Sequence, residues 1–228
     1  MKISVLGTGV VGQIISEKLI QLGHEVAIGT RNVQNTLEKT NKDNFGRPPF
    51  GEWHKFYKSV KLETYSGAAK FGSLIVNATN GVGSIEALRL AGSENLENKV
   101  LLDISNPLDF SKGMPPTLSI CNMDSLGEQI QKAFPNTKVV KTLNTLNAYL
   151  MVNPSIISGD HNLFLSGNEK SAKEEVEQLL ISFGWKKSNL IDLGDITTSR
   201  GTEMLLPIWL RLWGALGTPE FNFNIVKN

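Results

Sequence analysis

A glycine-rich hexapeptide directly after the first apolar run restricts the folds open to this chain more than any other feature. Residues 7–12 read GTGVVG, a G-x-G-x-x-G pattern between the β-rich run Ile3 to Leu6 and a helical stretch that extends to about Leu22. In this setting the first glycine permits a tight turn, the second lets backbone approach a pyrophosphate, and the third lets helix and strand pack closely. Glycine-rich turns also serve as plain connections, but a helix N-terminus here would attract phosphate. The pattern predicts a dinucleotide site that contains Gly7, Thr8, Gly9, Val10, Val11 and Gly12.

Beyond this turn, short β-rich runs alternate with stretches of helical period. That alternation is typical of a parallel sheet covered by crossover helices on both faces, and we predict an α/β fold with a doubly wound, mostly parallel Rossmann-type sheet of about eight strands. An amphipathic helix is expected over about 169–183, and the capping-box spacing of Ser125 and Glu128 predicts another helix start. The candidate strands are 3–6, 25–28, 60–63, 74–78, 100–104, 138–141, 162–166 and 190–193.

We expect residues 1–228 to form one domain with two additions. An ordered excursion at 41–60 follows the second strand, because its aromatic residues are too numerous for a flexible linker. A short C-terminal helical segment at about 198–214 is so apolar that it must be buried. Packing in the core, a homodimer contact between two copies and a direct coenzyme contact all remain open for this helix.

Composition excludes several classes of partner. The formal net charge is +1, so no global field draws the chain to nucleic acid or to an anionic membrane. The apolar run at 204–210 is far shorter than the roughly 20 residues that span a bilayer. A single cysteine, Cys121, fits a reducing compartment, and the first strand begins too early to leave room for a leader peptide. We therefore expect a cytoplasmic protein with a small-molecule redox partner.

The end of the second predicted strand indicates which dinucleotide binds. An NAD site usually places Asp or Glu here, about 20 residues after the glycine turn, for the ribose hydroxyls. This chain instead has Thr30, Arg31 and Asn32. A threonine hydroxyl and a guanidinium are suited to a 2′-phosphate, and no carboxylate is present to repel it. The sequence therefore predicts NADP(H) as cofactor.

Several segments in chain order resemble one known family. They are residues 1–31, Asn77-Ala78-Thr79, residues 103–107 (DISNP) and residues 141–145 (KTLNT). Together they resemble the NADP-linked oxidoreductases that use the deazaflavin coenzyme F420, and also the cytoplasmic reductase portion of certain metalloreductases. The resemblance extends over nearly the whole chain, although only the glycine turn and the Thr-Arg pair are specific.

The resemblance implies hydride transfer between NADP(H) and a deazaflavin or flavin in a crevice over the nicotinamide. The segments after the fourth, fifth and sixth strands would form the walls of that crevice. Residues implied at the cofactor are Asn77, Ala78, Thr79, Asn80, Asn106 and Pro107, and those nearer the second substrate are Asn144, Thr145 and Asn147. Asn, Thr and Pro at strand ends also serve as turn formers and helix caps, which is the alternative for each.

No residue is predicted to be a catalytic acid, base, nucleophile or metal ligand. None of the three histidines is paired by spacing with a carboxylate or hydroxyl, and Cys121 has no partner at ligand spacing. Lys141 is the one alternative, because related hydroxyacid dehydrogenases protonate their substrate with a lysine. Two further functions stay open: an NADPH-dependent reductase of another small acceptor, including flavin-mediated ferric reduction, and a non-catalytic NADP(H) redox sensor.

The Thr-Arg pair generates the first prediction. Arg31→Ala should weaken NADPH binding by about 1.5 to 3 kcal/mol, roughly 10- to 100-fold, because one charge-assisted contact to the 2′-phosphate is lost. Binding of NADH should hardly change. Titration of both cofactors against the variant measures the difference, and equal weakening of the two would contradict the assignment of Arg31.

Overall fold

The computed structural model describes residues 1–42 and 46–228. Strands and helices alternate along these residues, beginning with a strand at Lys2. The strands are β1 Lys2–Leu6, β2 Glu25–Thr30, β3 Lys61–Thr64, β4 Leu74–Asn77, β5 Val100–Asp103, β6 Leu108–Asp109, β7 Thr117–Leu118, β8 Lys138–Lys141, β9 Leu163–Leu165 and β10 Leu190–Asp192. The helices are α1 Val10–Gln21, α2 Val33–Glu38, α3 Phe50–Phe56, α4 Tyr65–Phe71, α5 Gly81–Ala91, α6 Ser93–Leu96, α7 Leu126–Ala133, α8 Ala148–Val152, α9 Lys170–Phe183, α10 Ser199–Met204 and α11 Leu206–Leu216.

Six parallel strands form the central sheet in the order β3-β2-β1-β4-β5-β8. Strand β1 lies in the interior, where Val5 is opposite Ile28 of β2 on one side and Val76 of β4 on the other. The chain first builds outward through β2 and β3, then returns past β1 to add β4, β5 and β8. This order places a topological switch point between β1 and β4, where such sheets bind ligands at their carboxyl edge. The predicted doubly wound α/β class is confirmed.

The prediction of about eight strands in this sheet is wrong, because the sheet has six. Strands β9 and β10 exist, but they form a separate parallel pair in which Leu163 is opposite Leu190. That pair meets the central sheet at one antiparallel bridge, between Lys141 and Ser166. Directly after the bridge, a Cβ on Gly167 would lie 2.7 Å from the Val139 carbonyl oxygen, so the chain crosses the edge strand closely and leaves it. The alternation of β-rich and helical stretches in the sequence predicts the strands but not which of them pair in the same sheet.

Both faces of the sheet are covered by buried apolar layers. One layer includes Ile15 and Leu19 of α1 with Val176 and Leu180 of α9. The other includes Leu88 of α5, Ile130 of α7 and Phe134 directly after α7. Helix α9 carries the expected stripe, since Val176, Leu179, Leu180 and Phe183 are all buried. The Ser125 side chain caps α7 by accepting a hydrogen bond from the Glu128 N–H, as the capping-box spacing predicts. None of the described helices is long and apolar enough to cross a bilayer.

The apolar C-terminal segment is divided into α10 and α11. Helix α11 buries Leu206 and Trp209 but leaves 48% of Ile208 and 56% of Leu216 exposed. The expectation of a helix buried on most sides therefore holds for one face only within a single chain. The homodimer contact stays a prediction.

The segment after β2 contains α3 and is fixed to two other helices; its residues 43–45 lie outside the described part of the chain. The Trp53 indole N–H donates to the Glu17 carboxylate of α1, and the Tyr57 ring stacks on Trp53 at 4.9 Å between centroids. Helix α3 also packs closely against α2, because a Cβ on Gly51 would lie 2.7 Å from the Leu37 carbonyl oxygen. The Trp53 hydrogen bond and the close approach to α2 hold α3 beside α1 and α2.

Candidate functional site

The glycine turn packs between two neighbouring elements at the carboxyl edge of the sheet. Gly7 has φ +116°, and a Cβ there would lie 2.5 Å from the Ala78 carbonyl oxygen just after β4. On the other side, a Cβ on Gly12 would lie 2.0 Å from the Gly7 carbonyl oxygen, so α1 lies directly on the turn. Only glycine satisfies both the left-handed backbone at Gly7 and the contact at Gly12. The turn thus joins β1, β4 and α1 at the switch point.

Gly9 differs from these two because it faces open space. Apart from its chain neighbours, no atom of the described residues lies within 4 Å of the Cβ position of Gly9, which stands directly before α1. Among the described residues, no side chain caps α1. Its first N–H groups and the positive end of its dipole therefore face this space, which fits a pyrophosphate.

A cavity of about 400 Å³ adjoins the turn. Its lining residues come from the turn, from α1 and α2, and from the segment that leads into α3: Thr8, Gly9, Val10, Gln13, Thr36, Lys39, Asn41, Arg47, Pro48, Pro49 and Phe50. The sequence identified only the first three of these as site residues. The available signal was the group of cations that follows Arg31 along the chain, Lys39, Lys42 and Arg47, of which the first and the last line the cavity.

The three residues expected at the 2′-phosphate occupy different environments. Thr30 is only 7% exposed, and its hydroxyl hydrogen-bonds the Thr36 hydroxyl at 2.7 Å; its contact with phosphate stays a prediction. Arg31 is exposed, and its charge opposes the increase that burial causes in the pKa of Tyr65, which places the guanidinium near that ring. Asn32 is exposed and caps α2.

Asn77, expected to border the cofactor, is instead completely buried. Its amide donates to Asp103 Oδ1 at 2.8 Å and to the Ser84 hydroxyl at 2.6 Å, and its Oδ1 accepts from the Thr79 hydroxyl at 2.7 Å. Because the last side chain of β4 points into the protein, Asn77 holds Thr79 in place rather than reaching a ligand. Ala78 and Thr79 are half-buried beside the glycine turn, and the exposed Asn80 caps α5.

Asn106 and Asn144 pair by a reciprocal amide contact that joins the loops after β5 and β8. Asn106 Nδ2 donates to the Asn144 carbonyl at 2.8 Å, and Asn144 Nδ2 donates to Asn106 Oδ1 at 3.0 Å. Asn106 remains half-buried, whereas Asn144 is 4% and Thr145 2% exposed, and the contact of these two with a second substrate stays a prediction. The Asn144 side chain is hydrogen-bonded to Asn106, and Thr145 lies in the buried turn after β8.

Asn147 and Pro107 also have structural partners. Asn147 Oδ1 caps α8, and its Nδ2 donates to the Pro219 carbonyl, so both ends of this amide are used within the chain. Pro107 is buried, and its carbonyl accepts from the Ser119 N–H at 2.8 Å, which supports the β6–β7 hairpin. Gly81 packs against the same loop, because a Cβ there would lie 1.9 Å from the Asn106 carbonyl oxygen.

Below this edge lies a buried cluster of three charges. Lys141 Nζ is 2.7 Å from Asp103 Oδ2 and 2.8 Å from Glu203 Oε1, and all three side chains are at most 1% exposed. The Lys141 ammonium also donates to the Ser105 carbonyl. Glu203 Oε2 and Oε1 in turn accept from the N–H groups of Leu126 and Gly127, at 2.8 and 3.0 Å. A residue of α10 therefore satisfies the N-terminus of α7.

These partners decide the chemistry open to Lys141. Burial alone would lower the pKa of Lys141, but the carboxylates of Asp103 and Glu203 outweigh burial and raise it above its ordinary value. A lysine that is fully buried and held by two carboxylates cannot approach a substrate oxygen. Lys141 therefore stabilises the edge of the sheet, and the alternative in which it donates a proton to substrate has no support in this geometry.

The histidines have partners within the fold. His54 Nε2 pairs with the Val60 carbonyl, and His161 contacts the Pro154 carbonyl and the Asn222 amide. His24 lies beside the chain N-terminus, and burial together with that charge lowers its pKa. Within residues 1–42 and 46–228, no three His, Cys, Asp or Glu side chains are grouped to hold a metal ion.

Comparison with known proteins assigns this arrangement to a family. The crystal structure of a proposed F420-dependent NADP reductase from Arthrobacter sp. FB24 is similar over all of both chains, with 56% identity and a TM-score of 0.93. The chain belongs to the coenzyme F420-dependent NADP oxidoreductases. The model of that family, described as NADP oxidoreductase coenzyme F420-dependent, matches residues 2–107, which contain the glycine turn and β1 to β5. The recognition made from the sequence is confirmed, and the chain is an NADP-dependent oxidoreductase.

Two more distant similarities extend beyond this family. Metalloreductase STEAP3 of Rattus norvegicus is 22% identical over 216 residues, which cover 91% of this chain. The chain spans only 38% of the length of that protein. Pyrroline carboxylate reductase of Plasmodium falciparum, solved with NADP bound, shares the fold with 13% identity and a TM-score of 0.53, over 93% of this chain and 66% of its own.

The open space at Gly9 generates the second prediction. Gly9→Val should abolish binding of both NADPH and NADH, because the side chain would occupy the space in front of the α1 N-terminus, while the fold remains intact. Gly12→Val is the matched control and should instead destabilise the fold through its clash with the Gly7 carbonyl. Fluorescence titration and thermal unfolding measure the two effects. Retained NADPH affinity in folded Gly9→Val would remove the turn from the site.

The charge cluster generates the third prediction. Lys141→Met should lower the free energy of unfolding by about 3 to 5 kcal/mol, since two carboxylates would be left buried without their cation. Lys138→Met, on the same strand and half-buried, should change it by no more than about 0.5 kcal/mol. Urea unfolding of both variants provides the comparison. Equal free energies of unfolding for the Lys141 and Lys138 variants would show that the charge cluster does not stabilise the fold.

Proposed function

We propose that the protein transfers a hydride between NADP(H) and a deazaflavin, coenzyme F420, or a flavin-like acceptor. The relative from Arthrobacter sp. FB24, identical at 56% of positions over its full length, is described as a proposed F420-dependent NADP reductase. Identity at this level over complete chains supports a shared acceptor class.

The state of Lys141 is the observation that carries the proposal. A carbonyl reductase needs a protein acid within reach of the substrate oxygen, and Lys141 is fully buried in ion pairs with Asp103 and Glu203. Thr79 and Asn106, which lie half-buried at this edge, are neutral. Exchange of a hydride between two rings needs orientation and exclusion of water rather than a protein acid or base at the reacting carbon.

In this function the chain contributes three things. The α1 N-terminus and the cations beside it bind the phosphates, the half-buried Thr79 and Asn106 border the nicotinamide, and the loops after β5 and β8 form the wall against solvent. When bound, NADPH supplies the hydride, the acceptor ring takes its two electrons, and a proton from solvent completes the reduced acceptor. Because Thr79 is held by Asn77 and Asn106 by Asn144, the two bordering side chains are fixed before any ligand arrives.

The second candidate function is the reduction of a flavin that passes its electrons on to a ferric chelate. It is favoured by the similarity to Metalloreductase STEAP3 over 91% of this chain. The orientation of the nicotinamide would be the same for both acceptors, since the two rings are of similar shape. The acceptor therefore has to be assigned by kinetics.

The neutral crevice generates the fourth prediction. Thr79→Leu and Asn106→Leu should each slow hydride transfer by about 100-fold, because a small displacement of the nicotinamide from its partner ring suffices for such a loss. His54→Ala, away from the edge, should slow it less than tenfold, below the 100- to 10,000-fold effect of losing a general acid or base.

The measurement is single-turnover oxidation of NADPH, with the hydride position deuterated, against coenzyme F420, FMN, FAD and a ferric chelate. The fastest transfer, with a primary isotope effect, should be to the deazaflavin. Absence of transfer to every ring acceptor, or full rates in both leucine variants, would overturn the proposal. Faster transfer to flavin would favour the second candidate.

A further inference from the structure

We propose that Lys39 and Arg47 bind the 2′-phosphate of NADP(H) together with Arg31, so that the segment from α2 to α3 determines cofactor specificity. This inference rests on NADP(H) as cofactor but not on the identity of the hydride acceptor. Both residues line the cavity of about 400 Å³ beside the glycine turn, to which Thr8 and Gly9 also contribute.

The chemistry of this cavity favours an anion. Among the described residues that line it are two cations and no carboxylate, and Gln13, Thr36 and Asn41 add polar groups. The N-terminus of α1, which lacks a side-chain cap, opens on the same space and adds the positive end of its dipole. A lysine and an arginine around one space suit a phosphate dianion, for which the guanidinium offers paired donors.

The position of the cavity relative to β2 indicates which phosphate it takes. Thr36 forms part of the wall, and its hydroxyl is bonded to that of Thr30, the last residue of β2. The end of this strand is where the adenosine ribose lies in dinucleotide-binding sheets. The pyrophosphate has its own donors at the start of α1. Lys39 and Arg47 therefore bind the 2′-phosphate, because the pyrophosphate is bound at α1. Arg31, on the loop that joins β2 to α2, contributes the third cation.

The wall that carries Arg47 is held in place before the cofactor arrives. Phe50, which follows Arg47 and two prolines, is 5% exposed and packs on Trp53 with ring centroids 5.2 Å apart. Trp53 is bonded to Glu17 of α1, and Gly51 contacts the backbone of Leu37. Ordering of this wall therefore costs little on binding, and its cations can contribute to affinity.

The test compares NADP⁺ and NAD⁺, which differ only in the 2′-phosphate, by calorimetric titration of the full chain. Lys39→Ala and Arg47→Ala should each weaken NADP⁺ about tenfold and leave NAD⁺ within about twofold. Lys55→Ala is the matched control, because Lys55 lies on α3 and lines a neighbouring cavity instead. It should change neither affinity.

Three outcomes would overturn the inference, and they differ from one another. Equal weakening of both dinucleotides would assign the two cations to the pyrophosphate. Unchanged NADP⁺ affinity in both variants would show that the cavity is not a phosphate subsite. If the unmodified protein failed to prefer NADP⁺ over NAD⁺, the cofactor assignment under the proposed function would fail as well. Unchanged NAD⁺ affinity also shows that the variants are folded.

Discussion

The buried contact of Lys141 with Asp103 and Glu203 is the constraint on which the carboxyl edge of this sheet depends. Removal of three charges from water is tolerated only because every charge has a partner, including the α7 N–H groups that bind Glu203. The cluster connects the ends of β5 and β8 to α7 and α10. Asp103 in turn accepts a hydrogen bond from the Asn77 amide, which connects the cluster to β4 and to the turn that carries Thr79.

Charge is therefore separated along the edge. Cations and the open end of α1 lie on the side of β1 and β2, where the phosphates of a dinucleotide would bind. On the side of β4, β5 and β8, Lys141, Asp103 and Glu203 are buried, and the half-buried Thr79 and Asn106 are neutral. The cations and the neutral side chains thus lie at opposite ends of this edge, which suits the proposed hydride transfer, in which the protein supplies orientation.

The sequence predicted those parts of the molecule that depend on local rules. The tight turn at Gly7, the stripe on α9 and the cap at Ser125 follow from residues close in the chain. The number of strands in the sheet could not be predicted in this way, because the chain leaves the sheet at Gly167 through a tertiary contact with β8. Burial of Asn77 and Asn144 was missed for the same reason: their partners, Asp103 and Asn106, lie in other segments. Nothing local indicated that Glu203 would neutralise Lys141.

A crystal structure of the protein with NADP⁺ tests this assignment of the site most directly. We expect the pyrophosphate at the N-terminus of α1 beside Gly9, the 2′-phosphate between Arg31 and the cavity lined by Lys39 and Arg47, and the nicotinamide against Thr79 and Asn106. A cofactor bound with its nicotinamide over the β2 side of the sheet, or with the α1 N-terminus free of phosphate, would contradict it.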